Sequence, residues 1–157
     1  MYSSPSAIYR RVPTIQGEFV VTKNLYFLFL MIVAFFAVSV AQADSPTEVE
    51  GATTIDVATA KELFDRNVPF IDVRNERHYI SGHIPGAINL RVGTGVFNES
   101  SLAEVAGKDQ EVVIYCNGAS CIAASESCEK AVSWGWEKIY YFRDGYPGWK
   151  AAGYSSE

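Results

Sequence analysis

Residues 111–122, Glu-Val-Val-Ile-Tyr-Cys-Asn-Gly-Ala-Ser-Cys-Ile, carry the reading that decides the fold. Glu111–Tyr115 is a short β-branched and aromatic run, the pattern of a strand buried on both faces in a parallel sheet. The following Asn117-Gly118-Ala119-Ser120 are small or polar, so the strand ends in a turn. From Ile122 to Ser133 the pattern changes period. Cys121, Ala124, Cys128 and Val132 share one stripe, Glu126, Glu129 and Lys130 lie away from it, and Gly135 follows as a stop. This predicts an amphipathic helix with a glycine C-cap.

The same grammar extends in both directions. Pro69–Val73 (PFIDV) and Lys138–Phe142 (KIYYF) are two more strand-like runs. Ile55-Asp56-Val57 reads as a short strand, and Ala58–Arg66 as a helix with Ala60, Leu63 and Phe64 at helical spacing and Asn67 as its stop. Strands alternating with helices predict an α/β sandwich around a mostly parallel sheet.

In open sheets of this kind ligands bind beyond the carboxyl ends of the strands, where Cys116 stands. The amides of the loop after it can form an anion-binding nest, and the positive end of the helix adds to that field. Both lower a thiol pKa, and the thiolate is the form that attacks sulfur. The plainer alternative is a buried cysteine before an ordinary turn. All three cysteines, Cys116, Cys121 and Cys128, fall within thirteen residues, which argues against a disulfide framework. Cys121 and Cys128 sit about 10.5 Å apart along a helix axis and are not expected to bridge. Cys116 and Cys121 flank the loop, and a curved loop would bring them within range. No metal site is expected, because these thiols lack a placed fourth ligand.

The 157 residues have room for one domain and a targeting segment. Leu25–Val40 is an uncharged apolar run of sixteen residues, preceded by Lys23 and followed by Ala41-Gln42-Ala43. That is a secretory signal pattern, short for a permanent span, which takes roughly 20 residues. Cleavage after Ala43 is expected, with an uncleaved membrane anchor as the alternative. The polar stretch before the run is long for a signal, which suggests that translation starts near Val21. Residues 1–43 are thus a targeting segment, 44–52 (DSPTEVEGA) a polar linker, and 53–157 the folded domain. From Asp44 onward there are 10 Lys and Arg against 17 Asp and Glu, a formal charge of −7. Nucleic acid is a poor partner for such a surface.

Four stretches, in order and spacing, resemble the rhodanese-like domains: Ile71-Asp72-Val73-Arg74, Gly82-His83-Ile84-Pro85-Gly86-Ala87-Ile88-Asn89-Leu90, Val113-Ile114-Tyr115-Cys116, and Gly145-Tyr146-Pro147-Gly148-Trp149-Lys150-Ala151-Ala152-Gly153-Tyr154. The resemblance covers Thr53–Tyr154. It implies a three-layer sandwich with a central five-stranded parallel sheet and a loop that cradles a persulfide on its first residue, matched here by Cys116. The implied activity is a sulfurtransferase or sulfur carrier needing no cofactor. A small sulfane-sulfur donor loads Cys116, a thiol or protein accepts the sulfur, and the amides of Asn117, Gly118, Ala119, Ser120, Cys121 and Ile122 stabilise the persulfide. Asp72 and Arg74 are expected to hold the loop and its neighbours by hydrogen bonding. His83 and Pro85 are expected to shape a turn, and Gly145, Pro147 and Trp149 to pack.

The chain departs from the pattern at Cys121, where the common loop has an arginine, so positive charge must come from amides or from Arg74, Arg91 or Arg143 reaching over. A phosphatase on the related scaffold needs an arginine six residues after its cysteine to grip the phosphoryl oxygens, and residue 122 is Ile. Three readings stay open: sulfur transfer through Cys116 in the periplasm or another exported setting, a thiol–disulfide redox protein using Cys116 and Cys121, and a non-catalytic rhodanese-like binding module.

Overall fold

The computed structural model describes residues Asp44–Glu157. The apolar run at Leu25–Val40, the expected cleavage after Ala43 and the suggested start near Val21 lie outside the described residues. Among the described residues no helix is long and apolar enough to cross a membrane.

Five strands, β1 (Ala52–Ile55), β2 (Phe70–Asp72), β3 (Ile88–Asn89), β4 (Glu111–Tyr115) and β5 (Lys138–Phe142), form one sheet in the order β1-β5-β4-β2-β3. Every pairing is parallel, and β4 lies at the centre, hydrogen-bonded to β2 and β5. The helices are α1 (Val57–Asp65), α2 (Glu76–Ile80), α3 (Glu99–Val105), α4 (Ala123–Ser133) and α5 (Gly145–Ala151). The expected α/β class and five-stranded parallel sheet are what the structure shows.

Alternation along β4 explains why the whole run had to be apolar. Val112, Ile114 and Cys116 face a core shared with Leu102 of α3 and with Ala124, Cys128 and Ala131 of α4. Val113 and Tyr115 face a second core built on Ala60 and Leu63 of α1 and on Tyr146 and Trp149 of α5. A strand covered on both faces has no polar side to show.

Two expectations are corrected. The first strand is Ala52–Ile55 rather than Ile55–Val57, because Asp56 leaves the strand to cap α1, its carboxylate accepting from the Thr59 amide at 2.8 Å. That bond lowers the Asp56 pKa. The second concerns residues 44–52, expected as a linker, which are docked on the domain. Val49 belongs to the α4-side core, and Ser45 is 2% exposed with its hydroxyl 2.9 Å from the Tyr141 hydroxyl. Asp44, Thr47, Glu48 and Glu50 stay exposed, while Ser45 is buried with its hydrogen bonds made.

Candidate active site

Cys116 follows the last residue of the central strand, 3% exposed, with its carbonyl accepting from the Tyr146 amide at 3.1 Å. The chain then turns through Gly118, whose φ of +94° is open to glycine at little cost, and the Cys121 amide closes the turn by donating to the Gly118 carbonyl at 2.9 Å. The Ala119 carbonyl accepts twice from Ser45, from the amide at 2.7 Å and from the hydroxyl at 2.8 Å. Asn117 meets His78 of α2, Nδ2 to Nδ1, at 3.0 Å. Ser120 is exposed, as is the Ile122 side chain.

Ile122 is the N-cap of α4 and supplies no side-chain cap. The first-turn amides of that helix are therefore directed toward the loop without a side-chain acceptor, and with the helix dipole they favour negative charge there.

Cys116 and Cys121 are joined by a disulfide across the loop, with Cα atoms 6.3 Å apart. In this form neither is a nucleophile. On reduction the arrangement presents two thiols, one on the strand end and one at the helix start, separated by a turn held in shape from outside. Cys128 is the free cysteine. It is buried on the core face of α4, and burial, with a smaller contribution from Glu129, raises its pKa, so it stays a neutral thiol.

Asp72 and Arg74 form a buried ion pair, Nη2 to Oδ2 at 2.6 Å, supplemented by the Arg74 amide donating to Oδ1 at 2.9 Å. Arg74 also donates to the Gly82 carbonyl at 2.8 Å, and its guanidinium lies 4.5 Å from the Tyr146 ring centroid. Of the loop and its neighbours, which these two were expected to hold, their side-chain hydrogen bonds reach a neighbouring turn and not the loop. Their hydrogen bonds serve each other and the Gly82 turn, and they reach the loop through Tyr146, whose amide binds the Cys116 carbonyl. The other arginines considered are engaged elsewhere: Arg91 pairs with Glu76 at 3.0 Å, and Arg143 donates to the Ser45 and Pro46 carbonyls. Arg143 thus bears on the loop through Ser45, whose amide and hydroxyl hold the Ala119 carbonyl.

His83 stacks on Tyr79 at 3.8 Å, and its amide donates to the Glu157 carbonyl, so it shapes the turn. Trp149 is fully buried against Phe64 and Tyr154. Burial raises the pKa of Tyr115, with the Asp72 charge adding to the effect, and its hydroxyl accepts from the Ile84 amide at 3.3 Å. Gly145 packs directly on the loop. A Cβ there would collide with the Cys116 carbonyl oxygen and lie 2.9 Å from the Gly118 nitrogen. Sequence reasoning missed Ser45, His78 and Tyr146 as neighbours of the loop. Only Tyr146 stood within a motif, and nothing local marked the other two.

Residues 56–152 match the family model described as the rhodanese-like domain. The chain is 37% identical over 102 residues to an HTH-type transcriptional regulator of Mycobacterium tuberculosis, covering 62% of this chain and 43% of that one. It is 28% identical over 120 residues to the mitochondrial protein HIGH ARSENIC CONTENT 1 of Arabidopsis thaliana, covering 71% and 70%. Against a tRNA uridine(34) hydroxylase of Buchnera aphidicola it is 33% identical over 93 residues, covering 55% and 28%. The chain thus spans less than half of the regulator and of the hydroxylase. In fold it is similar to a thiosulfate sulfurtransferase from Pseudomonas aeruginosa, with a TM-score of 0.57 at 22% identity over 68% of this chain and 20% of that one. A Bacillus halodurans protein gives a TM-score of 0.59 at 16% identity over 87% and 85%. With the family model covering more than half of its length, the chain belongs to the rhodanese-like domain family.

Proposed function

We propose that this domain is a sulfurtransferase or sulfur carrier that moves sulfane sulfur through a persulfide on Cys116, outside the cytoplasm. Relatives carry names as different as sulfurtransferase, tRNA hydroxylase and transcriptional regulator, so family alone does not select the activity. The observation that carries the reading is the placement of Cys116 at the end of the central strand, ahead of the uncapped N-terminus of α4. A donor transfers its outer sulfur to the Cys116 thiolate, and the amides of residues 117–122 balance the charge of the resulting persulfide. A nucleophilic thiol or protein then takes the sulfur. With Cys121 in place of an arginine, a thiol-borne sulfane donor suits the loop better than a doubly charged anion such as thiosulfate. An apolar segment retained at Leu25–Val40 would tether the domain to a membrane.

The Cys116–Cys121 disulfide favours a second reading, a thiol–disulfide redox protein. Intact-mass measurement separates the two. Reduced protein exposed to a low-molecular-weight persulfide gains the mass of one sulfur atom on Cys116 if it carries sulfur. Failure of a Cys121→Ser variant, which cannot close the disulfide, to gain that sulfur on Cys116 overturns the first reading.

A further inference from the structure

We propose that Cys121 is a second catalytic residue, an internal resolving thiol that discharges the Cys116 persulfide as hydrosulfide; this rests on the persulfide reading above. The Cα atoms of Cys116 and Cys121 are 6.3 Å apart, inside the range that a disulfide requires, and the two sulfurs are bonded. Their approach follows from how the loop is held. Gly118 turns the chain with φ +94°, and the Cys121 amide ties back to the Gly118 carbonyl. Ser45 grips the Ala119 carbonyl, midway between the cysteines, from the amide and from the hydroxyl. Ser45 is itself anchored by the Tyr141 hydroxyl and by Arg143 on its carbonyl. A loop braced at both its turn and its midpoint returns Cys121 to the same place each time.

Cys121 also has the chemistry of an attacking thiol. It precedes the N-cap of α4, where uncapped amides and the helix dipole favour a thiolate, and it is partly exposed. Cys128 has neither property, being buried in the core with its pKa raised.

The step balances as follows. The Cys121 thiolate attacks Sγ of Cys116 in Cys116–S–SH; the Sγ116–Sγ121 bond forms and the bond to the outer sulfur breaks. The electron pair leaves with that sulfur as HS⁻, which keeps the proton. The sulfane sulfur is reduced by two electrons, and the two cysteine sulfurs are oxidised to the disulfide. A dithiol reductant of the surroundings resets the loop by thiol–disulfide exchange. The consequence is an added activity, reductive release of sulfane sulfur as sulfide, whenever no acceptor arrives first.

The test uses the full reduced chain, loaded with one equivalent of glutathione persulfide and freed of small thiols. Expected for the parent is sulfide release without added thiol, approaching one per chain, with Cys116 and Cys121 linked in the peptide map. In Cys121→Ser, and equally in Cys121→Ala, the loaded fraction should persist about tenfold longer or more, because an intramolecular thiol acts at roughly millimolar effective concentration. Cys128→Ala should release sulfide as the parent does. Loaded parent and Cys121 variants decaying at the same rate, with no link formed, would overturn the resolving role and leave the persulfide reading standing. Failure of any chain to take up sulfur on Cys116 would overturn both.

Discussion

Ser45 donates both its amide and its hydroxyl to the carbonyl of Ala119, clasping the middle of the cysteine loop from a segment 74 residues away. The hydroxyl also meets Tyr141, so it sits at the junction of the loop, the sheet and the entering chain. Replacing it leaves the Tyr141 hydroxyl short of a partner in a buried place. Ser45→Ala should lower stability by about 1–2 kcal/mol, read from urea unfolding. It should also slow formation of the Cys116–Cys121 link after mild oxidation. A variant with parental stability and closure rate would show that the clasp does not shape the loop.

Cys116→Ser should abolish sulfur uptake and keep the fold, since Ser is close in size and the position ends the strand rather than interrupting it. The comparison is intact mass after persulfide treatment together with the circular dichroism spectrum. Uptake at parental level in this variant would remove Cys116 from its role.

Gly145 and Gly86 share a positive φ, +56° and +71°, but differ in their surroundings. Nothing lies within 4 Å of a Cβ at Gly86, whereas one at Gly145 runs into the Cys116 backbone. Gly86→Ala should cost only the left-handed strain of about 1 kcal/mol, and Gly145→Ala should cost that plus displacement of the loop. Denaturation midpoints of the two variants check this, and equal shifts would contradict the packing of α5 on the loop.

Asp72 and Arg74 are almost wholly out of water, so each neutralises a charge that would otherwise be stranded. Arg74→Met should destabilise by roughly 3–5 kcal/mol by leaving the carboxylate unpaired, and adding Asp72→Asn should recover much of the loss. Arg74→Lys should not substitute, because an ammonium cannot reproduce the forked bonds to Asp72 and Gly82. Unfolding of the single and double variants gives the coupling directly.

Alkaline pH should weaken the fold through two buried groups. In the unfolded chain Cys128 titrates near its ordinary value of 9.0 and Tyr115 near 10.0, while in the fold burial raises both. The unfolded state therefore holds fewer protons above pH 9, so this stabilisation is complete below that pH and is lost as pH rises. Urea unfolding at pH 7, 9 and 10.5 should show a decline that Cys128→Ala reduces in its first part. Native Cys128 should also resist alkylation at pH 9, and rapid labelling there would contradict its burial.

The strands and the main helix were legible because their patterns are local. Val112 to Tyr115 had to be apolar at every position once both faces were covered, and the change to helical spacing after Cys121 was visible in the run itself. The strand Ala52–Ile55 was misplaced because Asp56 could serve either as strand or as cap, and only the bond to Thr59 chooses.

Cys116 itself was found from the sequence, since a cysteine at the end of a buried strand and before a glycine-containing turn is a local arrangement. Its surroundings were not. The Ser45 clasp on Ala119, the His78 contact to Asn117 and the Tyr146 amide on the Cys116 carbonyl join segments 30 to 74 residues apart. Periodicity tells which side chains leave water but not which groups they meet. A polar residue such as Ser45 reads the same in a solvated linker and in a buried junction. The five-residue spacing permitted Cys116 and Cys121 to approach. The turn at Gly118, the brace at Ala119 and the packing of Gly145 against the strand end decided that they meet, because the loop's own glycine permits the curvature and contacts from other elements hold it.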